Sequence, residues 1–370
     1  MADSPAPTSI SVLDSLRELM GPEEILEAAM RLGALERQRK VDMPSLVEST
    51  VLALLPVPGA QATVFANYAA LTGRSLAPSS FYERFTPEFG QLMWEVADRA
   101  LAKVREVAPW EKSDELGALL REFSDVRVAD STCHLLKRLA QDWAPSTSKQ
   151  RPAGIKLHAV VSLRDGLPLA DELSPQKLHD NRAFPEWTLE AGTLSLFDLG
   201  YLDVDRFIDA IEREAGFLTR LKQSHNPLLS RVHVGKGDKV RARGMRLDEA
   251  FEQGVLTDFK GLLDVDIRLE KDGRKATARV VAVPGPDGER HWYLTNVPRD
   301  MLSPDDVAET YRLRWAIELI WKQLKAGLGL KTILAWRPGA VAALVAAKVT
   351  GLCLARLLEL SLQEREGQGR

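Results

Sequence analysis

The sequence predicts an α/β protein with a helical N-terminal domain and a mostly β insertion within the α/β core. From Val12 to Val107 apolar residues recur at intervals of three and four, which is typical of helices. From residue 126 short β-rich runs alternate with a helical pattern, as in α/β cores. Residues 223–298 are rich in Gly and alternating charges, and this segment is too long for a loop inside a compact domain.

These changes of character divide the chain into five predicted segments. They are a helical N-terminal domain at 1–120, the first part of the core at 121–222, the β-rich insertion at 223–298, a helix completing the core at 299–335, and a C-terminal helical segment at 336–370.

Composition indicates an ordinary soluble protein, since 45% of the 370 residues are hydrophobic and 27% are charged. Two cysteines without a C-x-x-C pair predict neither a disulfide framework nor a structural zinc, and favour a reducing cytoplasm. The polar start of the chain predicts no signal peptide. The apolar tract Val341 to Leu362 carries three charged residues, which favours a buried helix over a membrane span.

Charge is unevenly spread along the chain, although the net charge is only -3. Residues 1–120 carry 11 Lys/Arg against 17 Asp/Glu, whereas Arg231 to Arg246 carries six basic residues against Asp238 alone. Local fields matter more than the total charge, so the basic run is a candidate surface for a polyanion.

Two aspartates are predicted at the ends of strands. Asp130 follows Val126 to Ala129, and Asp198 follows Leu194 to Phe197. A carboxylate at a strand end projects into the cleft at the edge of a sheet. The alternative is that each aspartate caps or opens a turn, and the residues alone leave both interpretations open.

A third acidic residue, Glu318, lies on a predicted helix with two different faces. Ser303 and Pro304 are typical of a helix start, with Asp306 three residues after the cap. At about 100° per residue one face is apolar and the other carries Glu318 among cations. The polar face comprises Tyr311, Arg314, Glu318, Lys322 and Lys325. A surface helix with ion pairs four residues apart would have the same pattern.

The spacing Tyr-x2-Arg-x3-Glu-x6-Lys, formed by Tyr311, Arg314, Glu318 and Lys325, resembles the signature of the IS4-type DDE transposases. Asp130-Ser-Thr, Asp198-Leu-Gly-Tyr and Phe217-Leu-Thr-Arg-Leu-Lys resemble three further elements of that family, in the same order. The resemblance covers about residues 120–330, and the N-terminal helices only in general character.

The resemblance implies an RNase H-like (retroviral integrase-like) core in which Asp130, Asp198 and Glu318 are the catalytic residues and the metal ligands. Two Mg²⁺ ions, for which Mn²⁺ can substitute, would bind these hard oxygen ligands and serve an in-line phosphoryl transfer. No Gly-x4-Gly-Lys-Ser/Thr loop is present, so no nucleotide cofactor is expected.

The resemblance also implies DNA contacts by Tyr311, Arg314, Lys322 and Lys325. Trp292 is a candidate for stacking on a flipped base, or else an aromatic core residue. Lys239, Arg241 and Arg243 of the basic run are a candidate backbone track, with an exposed solubilising hairpin as the alternative. The N-terminal helices are interpreted either as a DNA-binding domain or as packing scaffold. Leu199 stands where the family commonly has a basic residue.

The function that the resemblance implies is that of an insertion-sequence transposase. It would cut DNA at the terminal inverted repeats and transfer the 3′ hydroxyl into target DNA, as a homodimer, in the cytoplasm on the nucleoid and without a membrane. Two alternatives stay open, a domesticated DNA-binding protein without cleavage and an RNase H-like nuclease without strand transfer.

Overall fold

A computed structural model describes residues 12–36, 41–53, 61–74, 76–107, 114–164, 167–221, 225–258, 260–285, 289–315, 318 and 333–368. Its first seven helices precede any strand. They are Val12–Leu19 (α1), Pro22–Arg31 (α2), Met43–Leu52 (α3), Gln61–Thr72 (α4), Pro78–Tyr82 (α5), Pro87–Val107 (α6) and Asp114–Glu122 (α7). Asp42 caps α3, since its side chain accepts a hydrogen bond from the Ser45 amide at 3.0 Å.

Eleven strands follow in the described part of the chain. They are Asp125–Leu135 (β1), Gly154–Ser162 (β2), Leu167–Pro175 (β3), Thr193–Phe197 (β4), Gly216–Arg220 (β5), Leu228–Val234 (β6), Lys236–Gly237 (β7), Leu256–Thr257 (β8), Leu263–Lys271 (β9), Arg274–Pro284 (β10) and Arg290–Thr295 (β11). The later helices are Val204–Glu212 (α8), Lys239–Ala242 (α9), Leu247–Glu252 (α10), Pro304–Arg312 (α11) and Pro338–Gln368 (α12).

Nine of these strands form one mixed sheet in the order β3-β2-β1-β4-β5-β11-β10-β9-β6. β1, β2 and β3 are antiparallel, whereas β4 and β5 run parallel to β1. β11 pairs with β5, so the strands predicted as an insertion extend the core sheet. In the turn between β9 and β10, Asp272 and Gly273 both adopt positive φ, as a two-residue hairpin requires.

Two hydrophobic cores cover the two faces of this sheet. The helices α1–α7 and α12 share one core with the face that includes Val128 and Leu196. Helix α8 and the β6–β10 region share the other core with the face that includes Ala129 and Phe197. Side chains alternate between the faces along each strand, so the core to which a neighbour belongs identifies the face of a polar residue.

Helix α12 packs closely against α6 in the helical layer. A Cβ atom at Gly339 would lie 2.2 Å from the Thr86 carbonyl oxygen, so only glycine fits there. The segment Pro338–Leu362 has the length and composition to cross a membrane, yet 61% of its most apolar window is buried within the protein. A core helix has these properties, as the charged residues in the tract had predicted.

Two details differ from the sequence-based prediction. Asp130 does not end its strand, because β1 continues to Leu135 by pairing with β2 after its pairing with β4 has stopped. The predicted regular helix through Tyr311 changes after α11 to a 3₁₀ turn, Leu313–Trp315. Its start is as predicted, since Ser303 accepts a hydrogen bond from the Asp306 amide. A tighter turn inside a helix alters the direction of the residues that follow.

A buried ion-pair network fixes the start of α11 to the sheet. Asp264 is fully buried on β9 and accepts hydrogen bonds from Arg279 and Arg299, at 2.8 and 2.7 Å. Arg279 also donates to the Leu302 carbonyl oxygen at 2.7 Å, just before the Ser303 cap. The position of α11 therefore depends on a charge pair that water does not reach.

We expect Asp264→Asn to lower the free energy of unfolding by about 3–5 kcal/mol, because it leaves the Arg279 guanidinium buried without its counter-charge. Urea unfolding followed by circular dichroism measures the change. Glu270→Gln removes an exposed partner of Lys275 on the same hairpin, and should change stability by less than about 1 kcal/mol. Equal effects of the two substitutions on the free energy of unfolding would contradict the larger contribution expected of the buried network.

His158 predicts a pH dependence of stability. Burial lowers the pKa of its imidazole to about 4, opposed by Asp180 and reinforced by Lys156. Between pH 6.5 and 4 the unfolded chain therefore binds a proton that the folded chain does not. The free energy of unfolding should therefore decrease as the pH is lowered from 6.5 to 4, by up to about 3 kcal/mol. In chemical unfolding at several pH values, His158→Gln should be less pH-dependent than the parent, and parallel curves would contradict the prediction.

Candidate active site

A row of polar residues crosses the sheet where the parallel strands stop pairing. Ala129 pairs with Phe197, and Phe197 pairs with Thr219. One residue further along, this register sets Asp130 beside Asp198, and Asp198 beside Arg220. Neighbouring strands lie about 4.8 Å apart, so the two predicted aspartates are direct neighbours.

All these side chains belong to the face that the helical core covers. Val128, Leu196 and Leu218 lie in that core, and alternation assigns Asp130, Asp198 and Arg220 to the same face. On β11, Tyr293 pairs with Arg220 and extends the row by one residue. A cation and an aromatic ring thus continue the line of the two carboxylates.

Helix α11 contacts this row at Tyr293, and Arg314 in the following 3₁₀ turn binds the third predicted acid. The Tyr311 ring lies 5.3 Å from that of Tyr293, between centroids. Arg314 Nη2 donates to Glu318 Oε1 at 3.1 Å. The Arg314 side chain is only 11% exposed, whereas the Glu318 side chain is 40% exposed and helical.

Arg314 connects the three acids electrostatically. Burial opposes its charge, yet its pKa lies above the ordinary value because of Tyr311, Asp198, the hydrogen bond to Glu318 and Asp130. One guanidinium therefore experiences all three predicted carboxylates. Among the described residues, no three His, Cys, Asp or Glu side chains are grouped closely enough to hold a metal ion, and the bond from Arg314 turns Glu318 toward the guanidinium.

Two buried polar atoms above the row lack a hydrogen-bond partner among the described residues, the Tyr311 hydroxyl and Arg314 Nε. Burial raises the pKa of Tyr311 to about 12, so the hydroxyl keeps its proton at neutral pH. Both atoms are donors, and buried donors are normally satisfied. The site therefore offers two hydrogen bonds to an acceptor such as a phosphate oxygen.

The donor set fits a hard divalent cation. Asp130 and Asp198 are partly exposed neighbours on adjacent strands, and Glu318 stands at the solvent side of Arg314. Mg²⁺ and Mn²⁺ prefer carboxylate oxygens and retain several waters, so few protein ligands suffice. Glu318 Oε1 accepts the hydrogen bond from Arg314, and a carboxylate has a second oxygen that can bind a metal.

The remaining predicted site residues lie elsewhere or outside the described residues. Trp292 packs edge-to-face on Phe251, with ring centroids 6.1 Å apart, on the other face of the sheet from Tyr311. Lys239, Arg241 and Arg243 are exposed, and the first two lie in the short helix α9. Lys322 and Lys325 lie outside the described residues.

Arg220 and Tyr293 are further members of the site that were not predicted from the sequence. Arg220 ends β5 as Asp198 follows β4, so the strand-end argument applied to Asp198 would have found it. Tyr293 had no such signal, because its place depends on the pairing of β11 with β5.

Residues 121–353, well over half of the chain, match the family model "Transposase DDE domain". The transposase for insertion sequence element IS231B of Bacillus thuringiensis subsp. berliner is 21% identical over 359 residues, with 82% of this chain and 70% of the relative covered. The IS231C transposase from the same source is 21% identical over 360 residues, with 85% and 72% covered.

Among solved structures, the piggyBac transposase synaptic complex with hairpin DNA aligns with 97% of this chain and 77% of its own chain. The identity is 9% and the TM-score is 0.48, so the two folds are too loosely alike for a comparison of residues. The family match spans β1, which carries Asp130, the residue Asp198 that follows β4, and the helical residue Glu318. The chain therefore belongs to the DDE transposase family, whose members generally use divalent metal ions.

Proposed function

We propose that this transposase moves an insertion sequence by two successive phosphoryl transfers within an RNase H-like core. Water attacks a phosphodiester at the end of the element and frees a 3′ hydroxyl, and that hydroxyl then attacks a phosphodiester of target DNA in line. The order β3-β2-β1-β4-β5, antiparallel and then parallel, supports this type of core.

Asp130, Asp198 and Glu318 are the proposed ligands of two divalent ions, Mg²⁺ with Mn²⁺ as a substitute. Bound there, the ions would lower the pKa of the attacking water and stabilise the leaving oxygen. The observation that carries the proposal is the register that sets Asp130 beside Asp198, next to an Arg314 that binds Glu318 and whose pKa both aspartates raise. Perturbed charges of this kind cluster at functional sites.

The cations of the site are proposed to hold the DNA strand and not the metal. Arg314 and Tyr311 have buried donors available for a phosphate, and a guanidinium can bind phosphate with two hydrogen bonds. Arg220 adds a positive charge beside Asp198, and Lys322 and Lys325 are proposed to extend the grip. The exposed Lys239, Arg241 and Arg243 are proposed to follow the backbone further out.

The reaction needs two element ends, so a homodimer on paired terminal inverted repeats is proposed as the working form, acting on the nucleoid. The alternatives predict different products. A DNA-binding protein without cleavage would leave the ends intact. An RNase H-like nuclease would cut them without joining them to a target.

The decisive experiment is cleavage of a duplex carrying the element's terminal inverted repeat, with Mg²⁺ or Mn²⁺. Glu318→Gln keeps the shape but removes a ligand charge. It should reduce the cleavage rate by more than about a hundredfold, because even partners behind metal ligands are worth 10–100-fold.

Glu309→Gln is the matched control, since Glu309 pairs with Arg312 on the exposed side of the preceding helix. It should cut at the parental rate. Cleavage by Glu318→Gln at the parental rate would overturn the proposed triad, and cleavage without joined product would favour the nuclease.

A further inference from the structure

Asp180 joins the two segments that carry Asp130 and Asp198. It begins a 3₁₀ turn, Asp180–Ala183, in the connection between β3 and β4. Its Oδ1 accepts hydrogen bonds from Ser131 Oγ at 3.0 Å and from Lys156 Nζ at 2.9 Å. Its Oδ2 lies against Gly200, where an added Cβ would be 3.3 Å away. One carboxylate thus touches the residue after Asp130 and the turn after Asp198.

A buried arginine on α8 holds the segment of Asp180 against the turn that follows Asp198. Arg206 donates to the Asn181 carbonyl oxygen at 2.8 Å, next to Asp180, and to the Tyr201 carbonyl oxygen at 2.7 Å, three residues after Asp198. Its guanidinium also stacks on the Phe184 ring at 4.4 Å. The position of Asp180 is therefore fixed from behind, and the carboxylate has little freedom to move.

The Asp180 carboxylate lies on the opposite side of the sheet from the face that carries the Asp130 and Asp198 side chains. Ser131 is paired with His158 on β2, and alternation points its side chain away from that of Asp130. The Tyr201 hydroxyl belongs to the same cluster, because Asp180 and Asp130 reinforce the large rise in its pKa that burial causes. Asp180 consequently acts on Asp130 through the backbone and not as a ligand.

We propose that Asp180 is a positioning residue that sets the separation of Asp130 and Asp198. Its bonds to Ser131 and Lys156 fix β1 relative to β2, and its contact with Gly200 fixes the turn that follows Asp198. Removing the carboxylate frees both aspartates to shift, and a divalent ion tolerates little displacement of its ligands. This inference rests on the proposed function, because it assumes that the two aspartates bind metal.

The test is the affinity of the protein for Mn²⁺ without DNA, measured by titration calorimetry. Asp180→Ala removes the acceptor of Ser131 and Lys156, and should raise the dissociation constant about 10- to 100-fold. Asp180→Asn retains an oxygen for Ser131 and the contact with Gly200, and should rescue part of that loss. Asp209→Asn is the matched control, since it alters a carboxylate on α8 that binds Arg274. This variant should bind Mn²⁺ like the parent.

Two outcomes overturn the inference. One is an Asp180→Ala variant that binds Mn²⁺ like the parent. The other applies if Asp180→Ala does not fold, and is parental affinity in Asp180→Asn. A parent protein that neither binds Mn²⁺ nor cuts DNA would instead contradict the proposed function, so the two failures are distinct.

Exposed cations at the connection between β1 and β2 support a second inference. Some arginines bind one or more carboxylates, among them Arg127, Arg274 and Arg299, and others, such as the exposed Arg241 and Arg243, have no ion pair within the described residues. Around this connection the exposed cations form no ion pair within the described part of the chain. They are Lys137, Arg138, Lys149, Arg151 and Arg337.

An exposed aromatic side chain lies beside one of these cations. Trp336 is 39% exposed, and the Arg337 guanidinium lies 5.2 Å from its ring centroid. The indole N–H of Trp143 donates to the Trp336 carbonyl oxygen at 2.8 Å, which fastens the segment before α12 to the connection. The five cations and Trp336 together form what we call the β1–β2 surface.

We propose that the β1–β2 surface binds target DNA. Unpaired cations match the charge of a phosphate backbone, and the tryptophan can contact sugars. The surface follows Leu135, five residues beyond Asp130 on the same strand. Strand transfer brings two DNA molecules to one pair of aspartates, and the donors above the sheet are proposed for the element's end, which leaves this side for the target. The inference rests on the proposed function.

The test separates end cleavage from joining. In Lys149→Glu/Arg151→Glu, joining of a pre-cut end to a plasmid should fall about tenfold or more, because both charges are reversed. Nicking of the element's end should stay within about twofold. Lys103→Glu/Lys275→Glu reverses two cations that have carboxylate partners, and should join ends like the parent.

An equal loss of end binding and joining would assign the surface to the element's end and overturn the inference. Unchanged joining would overturn it as well. A parent that nicks ends but joins none would contradict strand transfer itself, and the target assignment with it.

Discussion

The parallel pairing of β1 with β4, continued by β4 with β5, is the constraint on which the site depends. It sets Asp130, Asp198 and Arg220 side by side at the position where each ladder stops. A shift of register by one residue would turn these side chains into the opposite core, where Ala129 and Phe197 pack. The buried residues that hold the register therefore matter to the chemistry as much as the carboxylates do, although they never touch DNA.

The charges of the site balance each other. Two carboxylates on adjacent strands repel, and the sheet alone gives no compensation. Arg314 supplies it from above and Arg220 from the side. The same negative field that stabilises a guanidinium also attracts divalent ions. The arrangement thus accounts for the presence of cations in a site whose proposed ligands are three acids.

Local signals in the sequence predicted the parts that local physics controls. The Ser303 cap and the strand before Asp198 follow from side-chain chemistry within a few residues. The extension of β1 past Asp130 depends on its partner β2, and the contact of Asp180 with Ser131 spans 49 residues. No periodicity encodes such pairings, since they arise only when the sheet assembles. Arg220 was readable by the argument that found Asp198, and was missed because a basic strand end suggested no chemistry.

The weakest link at the site is the bond between Arg314 and Glu318. Helix α11 is held by the buried Arg279–Asp264 pair, and the sheet beneath it is covered on both faces. The Arg314–Glu318 pair is part-exposed, and pairs of that kind contribute at most about 1 kcal/mol. Opening it leaves the buried network intact, and the 3₁₀ turn at Leu313–Trp315 lies directly between the fixed helix and Glu318. If Glu318 must reach the aspartates, the change can be confined to this turn and one side chain, which leaves Arg314 available for a phosphate.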